Sequence, residues 1–407
     1  MSTVSAAADA ALALVPAAVR RSASGRPAWL HFAVAFDFIQ PAPDQSTFIV
    51  MYRMLYGTSY EGIHVDSKWL GATRRRVAVV SASLLAALAT ATSTATADST
   101  RCSPVSVAVP LTEGGPVDQR IAGTLCRPRG EARTIQILVP GGTYDRSYWM
   151  RGNGKGPTFA DTMVRAGYAV LAIDRLGAGR SSWPSGARLR PDSHQESFRQ
   201  VALAARQGKL DGRRYRNVVA VGNSIGSTII RSVQIRHPDT LDGIILTGES
   251  STPNEAAFEQ FAQATYPAGQ DPRFTARRLD DAYYTTRPGA RAEWFYHLPG
   301  AQRAVVARDE ATKESDTFLE TFPAISDNRL IRIPVLIMIG QHDRLLCGEG
   351  ATDCTSSAAL QAQQKRWYPN APLDAVVIPA TGHVLTLHRS APASSSLARD
   401  WVKRHVG

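Results

Sequence analysis

The sequence has little of what marks metal-binding or nucleic-acid-binding proteins. It contains four cysteines, in no Cys-x-x-Cys arrangement and with no histidine beside them, which argues against a zinc site. The formal net charge is +11, but beyond residue 97 the arginines are scattered and form no basic arm for nucleic acid. A nucleotide-binding fingerprint is also missing. We therefore predict no metal, no organic cofactor and no nucleic-acid partner.

One apolar run near the N-terminus is too short to cross a membrane. The thirteen residues from Val77 to Ala89 fall below the roughly 20 that a membrane-spanning helix needs. They follow three arginines at 74–76 and precede Ala95-Thr96-Ala97, an arrangement typical of a secretory signal. We predict that residues 74–97 are a signal peptide cleaved near Ala97, and that the secreted protein has no stable membrane insertion. The alternative is a short buried helix.

A signal peptide that begins about 70 residues into a chain is unusual. Residues 1–65 show no sustained helical or strand period, although "AWLHFAVAF" and "STFIVMYRM" are apolar patches. We interpret residues 1–73 as a non-native or disordered extension and expect translation to begin at Met54 or later. Thr73-Arg74-Arg75 gives a weak indication of twin-arginine export.

All four cysteines lie beyond the predicted cleavage point. An even number of cysteines in an exported chain favours two disulfides. Three pairings are open, and the most local one joins Cys102 to Cys126 and Cys347 to Cys354.

From residue 103 onward, apolar runs alternate with helical patterns. Extended runs at 106–110 and 119–126 flank a Gly-Gly turn and predict a hairpin. Six candidate strands follow, at 134–140, 168–174, 217–222, 242–248, 333–340 and 373–379. Helical patterns lie near 159–166, 193–207, 225–236, 356–368 and 393–405. Because continuous β-branched runs are buried on both faces, we predict an α/β fold with a mostly parallel central sheet and helices on both faces.

Residues 251–330 interrupt this alternation. Four segments in this region have a helical pattern, and no β-rich run interrupts them; they lie at 254–266, 276–286, 289–298 and 312–322. A single crossover between parallel strands needs only about a dozen residues. We therefore predict a core formed by residues 98–250 and 331–407, with residues 251–330 inserted as a helical cap over the strand ends.

The pentapeptide Gly222-Asn223-Ser224-Ile225-Gly226 joins a predicted buried strand directly to a predicted helix. The serine in such a turn adopts strained backbone angles, and side chains two positions away on either side would clash. The turn raises the Ser224 hydroxyl above the sheet at a helix N-terminus, where unpaired N–H groups favour a developing oxyanion. The pattern therefore indicates a catalytic nucleophile.

A serine nucleophile needs a base and a group that orients the base. Asp343 follows one later strand and His383 follows the last one, so the order along the chain is Ser, Asp, His. This order and the turn around Ser224 are those of the α/β-hydrolase superfamily. The chain resembles that superfamily over nearly all of residues 102–407.

Two further motifs carry the resemblance. Pro140-Gly141-Gly142 follows the third strand, where the family builds half of its oxyanion hole, and residues 174–181 match the family's D-x-x-G-x-G-x-S turn. The resemblance implies that Ser224 is the nucleophile, His383 the general base and then acid, and Asp343 the orienting carboxylate. It also implies that the backbone N–H groups of Ile225 and Gly142 bind the oxyanion, with Thr143 as the alternative to Gly142.

The resemblance is incomplete at several positions. The family often has His-Gly where this chain has Pro140-Gly141, and many members carry histidine at the position of Asn223. Some members take the acid from an earlier strand, where this chain offers Glu249. We expect His342 to be a surface residue and His388 to be a structural residue on a helix.

The resemblance implies acyl transfer to water. A serine triad with an oxyanion hole stabilises a tetrahedral adduct on a carbonyl carbon, so we predict hydrolysis of a small-molecule ester, lactone or thioester through an acyl-enzyme. A peptidase or acyltransferase using the same triad is the alternative, followed by a non-catalytic binding protein. The segments "YDRSYW" and "AEWFYHLPG" supply aromatic side chains either to an apolar pocket or to the core.

Overall fold

A computed structural model describes residues 101–317 and 322–407, together with the backbone of three earlier strands. The chain divides into two compact units, Met1–Ala97 and Asp98–Gly407. The predicted signal peptide lies outside the described residues.

The first unit contains a small antiparallel sheet of strands β1 (Val34–Pro41), β2 (Thr47–Met54) and β3 (Tyr60–Asp66). No sustained strand period marks this region in the sequence, and the interpretation of residues 1–73 as a non-native or disordered extension stays a prediction. Strands β1 and β2 overlap the two apolar patches of the sequence, and a short apolar run does not by itself distinguish a strand from a helix.

The second unit is built from alternating strands and helices. Its strands are β4 (Arg101–Val109), β5 (Gln119–Arg127), β6 (Thr134–Val139), β7 (Ala169–Ile173), β8 (Asn217–Asn223), β9 (Gly243–Thr247), β10 (Thr265–Pro267), β11 (Tyr283–Thr286), β12 (Asp316–Thr317), β13 (Val335–Gly340) and β14 (Leu373–Ile378). Its α-helices are α1 (Ser147–Arg151), α2 (Phe159–Arg165), α3 (Ser193–Gln207), α4 (Ile225–Arg236), α5 (Glu255–Gln263), α6 (Ala290–Phe295), α7 (Arg303–Ala311), α8 (Ser357–Lys365) and α9 (Ala391–His405).

Eight of these strands form one twisted sheet in the order β14-β13-β9-β8-β6-β7-β5-β4. The pairs from β14 to β7 are parallel, whereas β5 pairs antiparallel with both β7 and β4. Hydrophobic clusters cover both faces: on β6, Ile135 and Ile137 belong to one cluster and Leu138 to the other. The predicted mostly parallel sheet with helices on both faces is confirmed.

Residues 251–330, here called the insertion, are only partly helical. Helices α5, α6 and α7 lie in it, but β10, β11 and β12 form a three-stranded antiparallel sheet. The expected helix at 276–286 is therefore wrong, and residues 312–317 of the segment expected to be helical at 312–322 contain β12 rather than a helix. Tyr283–Thr286 is a run of aromatic and β-branched residues, all buried. Such residues favour a strand, and the charged residues before them gave the segment its helical pattern.

Two disulfides are present, in the most local of the three pairings considered. Cys102 and Cys126 lie opposite each other on β4 and β5, and Cys347 and Cys354 close a short loop after β13. Among the residues that the structure describes, no helix is long and apolar enough to cross a bilayer.

Candidate active site

The turn at Ser224 has the strained backbone that its glycine spacing predicts. Strand β8 ends at Asn223, helix α4 begins at Ile225, and Ser224 between them has φ 51° and ψ −125°. A Cβ atom at position 222 would lie 2.4 Å from the backbone of Ser227. One at position 226 would lie 2.5 Å from the carbonyl oxygen of Val139. Glycine is therefore required on both sides of the serine.

Asp343 and His383 come together from the ends of neighbouring strands. Asp343 follows β13 and His383 follows β14, and the Nδ1–H of His383 donates a hydrogen bond of 2.8 Å to Oδ2 of Asp343. Both side chains are buried, at 0% and 2% exposure respectively. The other carboxylate oxygen, Oδ1, accepts the backbone N–H of Leu345 at 3.0 Å. The imidazole keeps Nε2 available for a second partner.

Ser224 and His383 line the same cavity, which also includes Gly142 and Ile225. Its volume is about 150 Å³. No hydrogen bond joins the Ser224 hydroxyl to His383 within the described part of the chain. Four of the five residues predicted for catalysis and oxyanion binding thus line one cavity, and the fifth, Asp343, lies behind the imidazole.

The cavity wall is apolar and carries no formal charge. Apart from His383, eight of the thirteen lining residues are aliphatic or aromatic. The full wall is Gly142, Thr143, Tyr144, Asn223, Ser224, Ile225, Phe258, Phe261, Ala262, Tyr284, Phe295, Leu345 and His383. Among these described residues there is no aspartate, glutamate, lysine or arginine. Burial raises the pKa of Tyr144 and of Tyr284 well above the usual value, so both phenols stay neutral.

The two aromatic segments noted in the sequence divide between pocket and core. Tyr144 and Phe295 line the cavity, whereas Tyr148 and Trp149 pack in the core on α1. The insertion supplies the rest of the aromatic wall, with Phe258 and Phe261 on α5 and Tyr284 on β11. The sequence offered no signal for these three residues. Aromatic side chains that line a pocket and aromatic side chains that are buried only for folding show the same sequence pattern.

The loop after β6 includes the N–H group of Gly142, which was predicted to bind the oxyanion. Among the described residues, the N–H of Gly142 makes no hydrogen bond, whereas the N–H of Thr143 donates to Oδ2 of Asp316 at 3.2 Å. Ile225 is the first residue of α4, so its N–H has no partner within the helix. This arrangement favours Gly142 over Thr143 as the loop's contribution to an oxyanion hole.

The alternative acid and the other histidines are held elsewhere. Glu249 accepts a 2.7 Å hydrogen bond from Nε of Arg231, and burial raises the pKa of its carboxyl group.

His342 is exposed, as expected, and stacks on His297 with ring centroids 3.9 Å apart. His388 is buried but lies before α9 rather than on a helix, because a 3-10 turn at Leu385–Leu387 ends there. The helical placement of His388 is therefore wrong.

Asn223 packs beneath the site. Its Nδ2 lies 3.4 Å from the carbonyl oxygen of His383 and 3.4 Å from the hydroxyl of Thr247. The described residues contain no group of three or more histidine, cysteine, aspartate or glutamate side chains that could hold a metal ion.

Solved structures of esterases and of a phospholipase share this fold. The chain matches a thermophilic esterase from Thermogutta terrifontis with 18% identity and a TM-score of 0.51, covering 75% of this chain and 100% of that one. It matches a bacterial membrane phospholipase A, a virulence factor, with 18% identity and a TM-score of 0.51, covering 83% and 96%. The esterase RhEst1 from Rhodococcus sp. ECU1013 matches with 16% identity and a TM-score of 0.50, covering 74% and 98%. No curated protein sequence matches the chain.

A family model matches more than half of the chain. The model is that of the serine aminopeptidases, S33, and it matches residues 154–372. This range contains Ser224 and Asp343, begins after the Pro140–Thr143 loop and stops before His383. The chain therefore belongs to the S33 serine aminopeptidase family and is an α/β-hydrolase enzyme.

Proposed function

We propose that this protein is a secreted serine hydrolase that cleaves a small, neutral carboxylic ester through a Ser224–His383–Asp343 triad. The observation that carries the proposal is the cavity in which the strained serine and the carboxylate-bound imidazole meet beside two N–H groups without acceptors. Backbone strain of this kind persists at functional sites because contacts in the surrounding structure offset its energetic cost.

In the proposed reaction, Oγ of Ser224 attacks the carbonyl carbon while Nε2 of His383 takes the hydroxyl proton. The carbonyl π electrons move to the oxygen, and the N–H groups of Ile225 and Gly142 stabilise the oxyanion. As the adduct collapses, the leaving alkoxide receives the proton from His383. Water then attacks the acyl-enzyme by the same steps and releases the acid. By accepting the Nδ1–H, Asp343 keeps the imidazole in the tautomer whose Nε2 carries no proton and can accept the serine proton.

The cavity supports an ester over a peptide substrate. An aminopeptidase must pair the substrate's terminal ammonium group with a negative charge, because an unpaired ammonium in an apolar site is costly. No carboxylate lines the cavity among the described residues. A lactone or thioester fits the same argument, and a peptidase and an acyltransferase are the alternatives to be tested.

Secretion and the boundary of the mature protein are part of the proposal. The two disulfides support an oxidising compartment. The boundary between the two compact units, after Ala97, coincides with the predicted cleavage point. We further propose that residues 251–330 act as a cap, since side chains from α5, α6 and β11 form part of the cavity wall. N-terminal sequencing of secreted protein should find a mature end near Asp98, and an end far from it would contradict the signal-peptide assignment.

The catalytic proposal is tested with a fluorophosphonate probe and two substrates. Wild-type protein should be labelled and should hydrolyse p-nitrophenyl acetate, but not an alanine p-nitroanilide. Ser224→Ala should lose both labelling and hydrolysis, while Ser185→Ala, which changes an exposed serine, should keep both. Equal labelling of wild type and Ser224→Ala, or no labelling of either, would reject Ser224 as the nucleophile. Faster cleavage of the anilide would favour the peptidase.

A further inference from the structure

The backbone of the loop Pro140–Thr143, here called the oxyanion loop, is held by one buried arginine and one buried aspartate. Arg175 donates from Nε to the carbonyl oxygen of Pro140 at 3.1 Å and from Nη2 to that of Gly141 at 3.0 Å. Oδ2 of Asp316 accepts the N–H of Thr143 at 3.2 Å. Both charged side chains are buried, with Arg175 3% and Asp316 1% exposed.

The two side chains also pair with each other. Nη1 of Arg175 donates to Oδ1 of Asp316 at 3.1 Å, and Nη2 donates to Oδ2. The backbone N–H of Thr317 adds a 2.7 Å hydrogen bond to Oδ1. Arg175 belongs to the D-x-x-G-x-G-x-S turn after β7, whereas Asp316 lies on β12 of the insertion. The pair therefore joins the catalytic core, the oxyanion loop and the insertion.

Arg175 acts on the peptide unit that carries the proposed oxyanion donor. The carbonyl of Gly141 and the N–H of Gly142 belong to the same planar trans peptide, in which the C=O and N–H bonds point in opposite directions. A guanidinium that holds the carbonyl oxygen fixes the plane and so fixes where the N–H points. A hydrogen bond to the carbonyl also polarises the peptide and strengthens its N–H as a donor.

Asp316 needs the arginine as its partner. A Cβ atom at Gly142 would lie 3.0 Å from Oδ2 of Asp316, so this carboxylate is close to the proposed oxyanion site. An unpaired carboxylate there would oppose the negative charge of the tetrahedral intermediate. Pairing with Arg175 neutralises the aspartate while leaving its oxygens able to hold the N–H of Thr143.

We infer that Arg175 and Asp316 are positioning residues that orient the Gly142 N–H toward the oxyanion and couple the insertion to the catalytic core. The inference rests on the proposed function. Misdirecting one oxyanion donor should cost on the order of 10- to 100-fold in kcat, since removing one outright costs on the order of 100- to 1,000-fold. KM should change little, because the donor acts mainly on the transition state.

The test separates positioning from folding. Arg175→Met and Asp316→Asn should each lower kcat for p-nitrophenyl acetate and weaken inhibition by a phenylboronic acid, whose adduct with serine carries an oxygen at the oxyanion site, by a similar factor. Arg175→Lys keeps the positive charge but lacks the planar set of N–H donors of a guanidinium. It should therefore recover part of the kcat that Arg175→Met loses. The double variant Arg175→Met/Asp316→Leu removes both buried charges, so its Tm should recover while its kcat stays low.

A second buried pair serves as the control. Arg231→Met breaks the Arg231–Glu249 pair, whose Nε and Oε1 lie 2.7 Å apart; the hydrogen bonds of Arg231 go to Glu249 and Asn328. It should lower Tm and leave kcat and boronic acid inhibition unchanged. Wild-type kcat in Arg175→Met, or recovery of kcat together with Tm in the double variant, would overturn the inference while leaving the esterase proposal intact. An inactive wild type would instead reject the proposed function.

Discussion

Nδ1 of His383 and Oδ2 of Asp343 lie 2.8 Å apart, and both side chains are shielded from solvent. The two residues are 40 positions apart in the chain, and the parallel pairing of β13 with β14 brings them to the same edge of the sheet. A buried carboxylate in this position favours one tautomer of the imidazole and stabilises the imidazolium that forms during proton transfer.

Asp343→Asn should lower kcat for p-nitrophenyl acetate on the order of 1,000- to 10,000-fold, because an amide no longer enforces the required tautomer. Glu249→Gln should change kcat by less than about threefold, because Glu249 pairs with Arg231 rather than with His383. Steady-state kinetics of the two purified variants checks this. A larger loss in Glu249→Gln than in Asp343→Asn would assign the acid to the earlier strand.

The cavity predicts a preference for short acyl groups. A cavity of about 150 Å³ accommodates a group of benzene's size. We expect kcat/KM for p-nitrophenyl esters to be highest for short acyl chains and to fall steeply beyond about six carbons. Phe261→Ala removes a ring from the wall and should move the optimum to longer chains. Leu397→Ala, a truncation at an exposed position on α9, should leave the profile unchanged.

His388 holds the two residues that flank His383. Its Nε2 accepts the N–H of Gly382 at 3.1 Å, and its Nδ1–H donates to the carbonyl oxygen of Val384 at 2.8 Å. Its Nε2 also accepts the N–H of His297 at 3.1 Å. His388→Leu leaves these three groups unpaired, so we expect a loss of about 1–3 kcal/mol for each of them and a lower kcat. Thermal unfolding and kinetics check this, and His388→Gln, which keeps a donor and an acceptor, should recover part of both.

The pH dependence of the His388 contribution has a definite sign. Burial lowers the pKa of His388 to about 4, so between pH 6.5 and 4 the unfolded chain binds a proton that the folded chain does not. Its contribution to stability is therefore complete above pH 6.5 and declines as the pH falls toward 4. The difference in unfolding free energy between wild type and His388→Gln should shrink over the same interval, and a constant difference would contradict the prediction.

Glu314 should destabilise the protein at neutral and higher pH. Burial, reinforced by the charge of Asp145, raises the pKa of Glu314 to about 7. Between pH 4.5 and 7 the folded chain binds the extra proton, so this residue's contribution to stability falls as the pH rises. Glu314→Gln should match wild type near pH 4.5 and exceed it at pH 8 by up to about 3 kcal/mol in urea unfolding.

A control carboxylate separates this effect from a general loss of negative charge. Glu293, whose side chain is 60% exposed, lies on the surface of α6. Glu293→Gln should change the unfolding free energy by a similar small amount at both pH values. A stabilisation by Glu314→Gln that is equal at pH 4.5 and 8 would show that proton binding is not its cause.

The disulfide Cys347–Cys354 should support activity as well as stability. The backbone N–H of Cys347 donates to the carbonyl oxygen of Asp343 at 2.8 Å, so the closed loop helps to hold the proposed orienting carboxylate. Replacing both cysteines by serine should cost about 2–3 kcal/mol by loop-closure entropy and also lower kcat. The matched double variant at Cys102 and Cys126, on the edge hairpin, should lower Tm but leave kcat unchanged, and an equal effect on kcat would contradict the prediction.

Much of the fold follows from short-range patterns. The strands from Thr134–Val139 to Leu373–Ile378 and the helices beside them lie close to the predicted ranges, because continuous apolar runs and helical periods are local properties. The positive φ of Ser224 is equally local, since it depends on two glycines within the same pentapeptide. The insertion was predicted less well, because its strands are short and belong to a small sheet whose partners lie far apart in the chain.

The sequence by itself determined the strand and helix alternation and the serine turn, both of which depend on neighbours a few residues away, and it left three disulfide pairings open, among which the structure decided. Only the tertiary structure decided what surrounds the serine. The carboxylate of Asp316 reaches the N–H of Thr143 across 173 residues, and the aromatic wall comes from the insertion. Such contacts depend on how distant segments pack, and no local period or spacing encodes that packing.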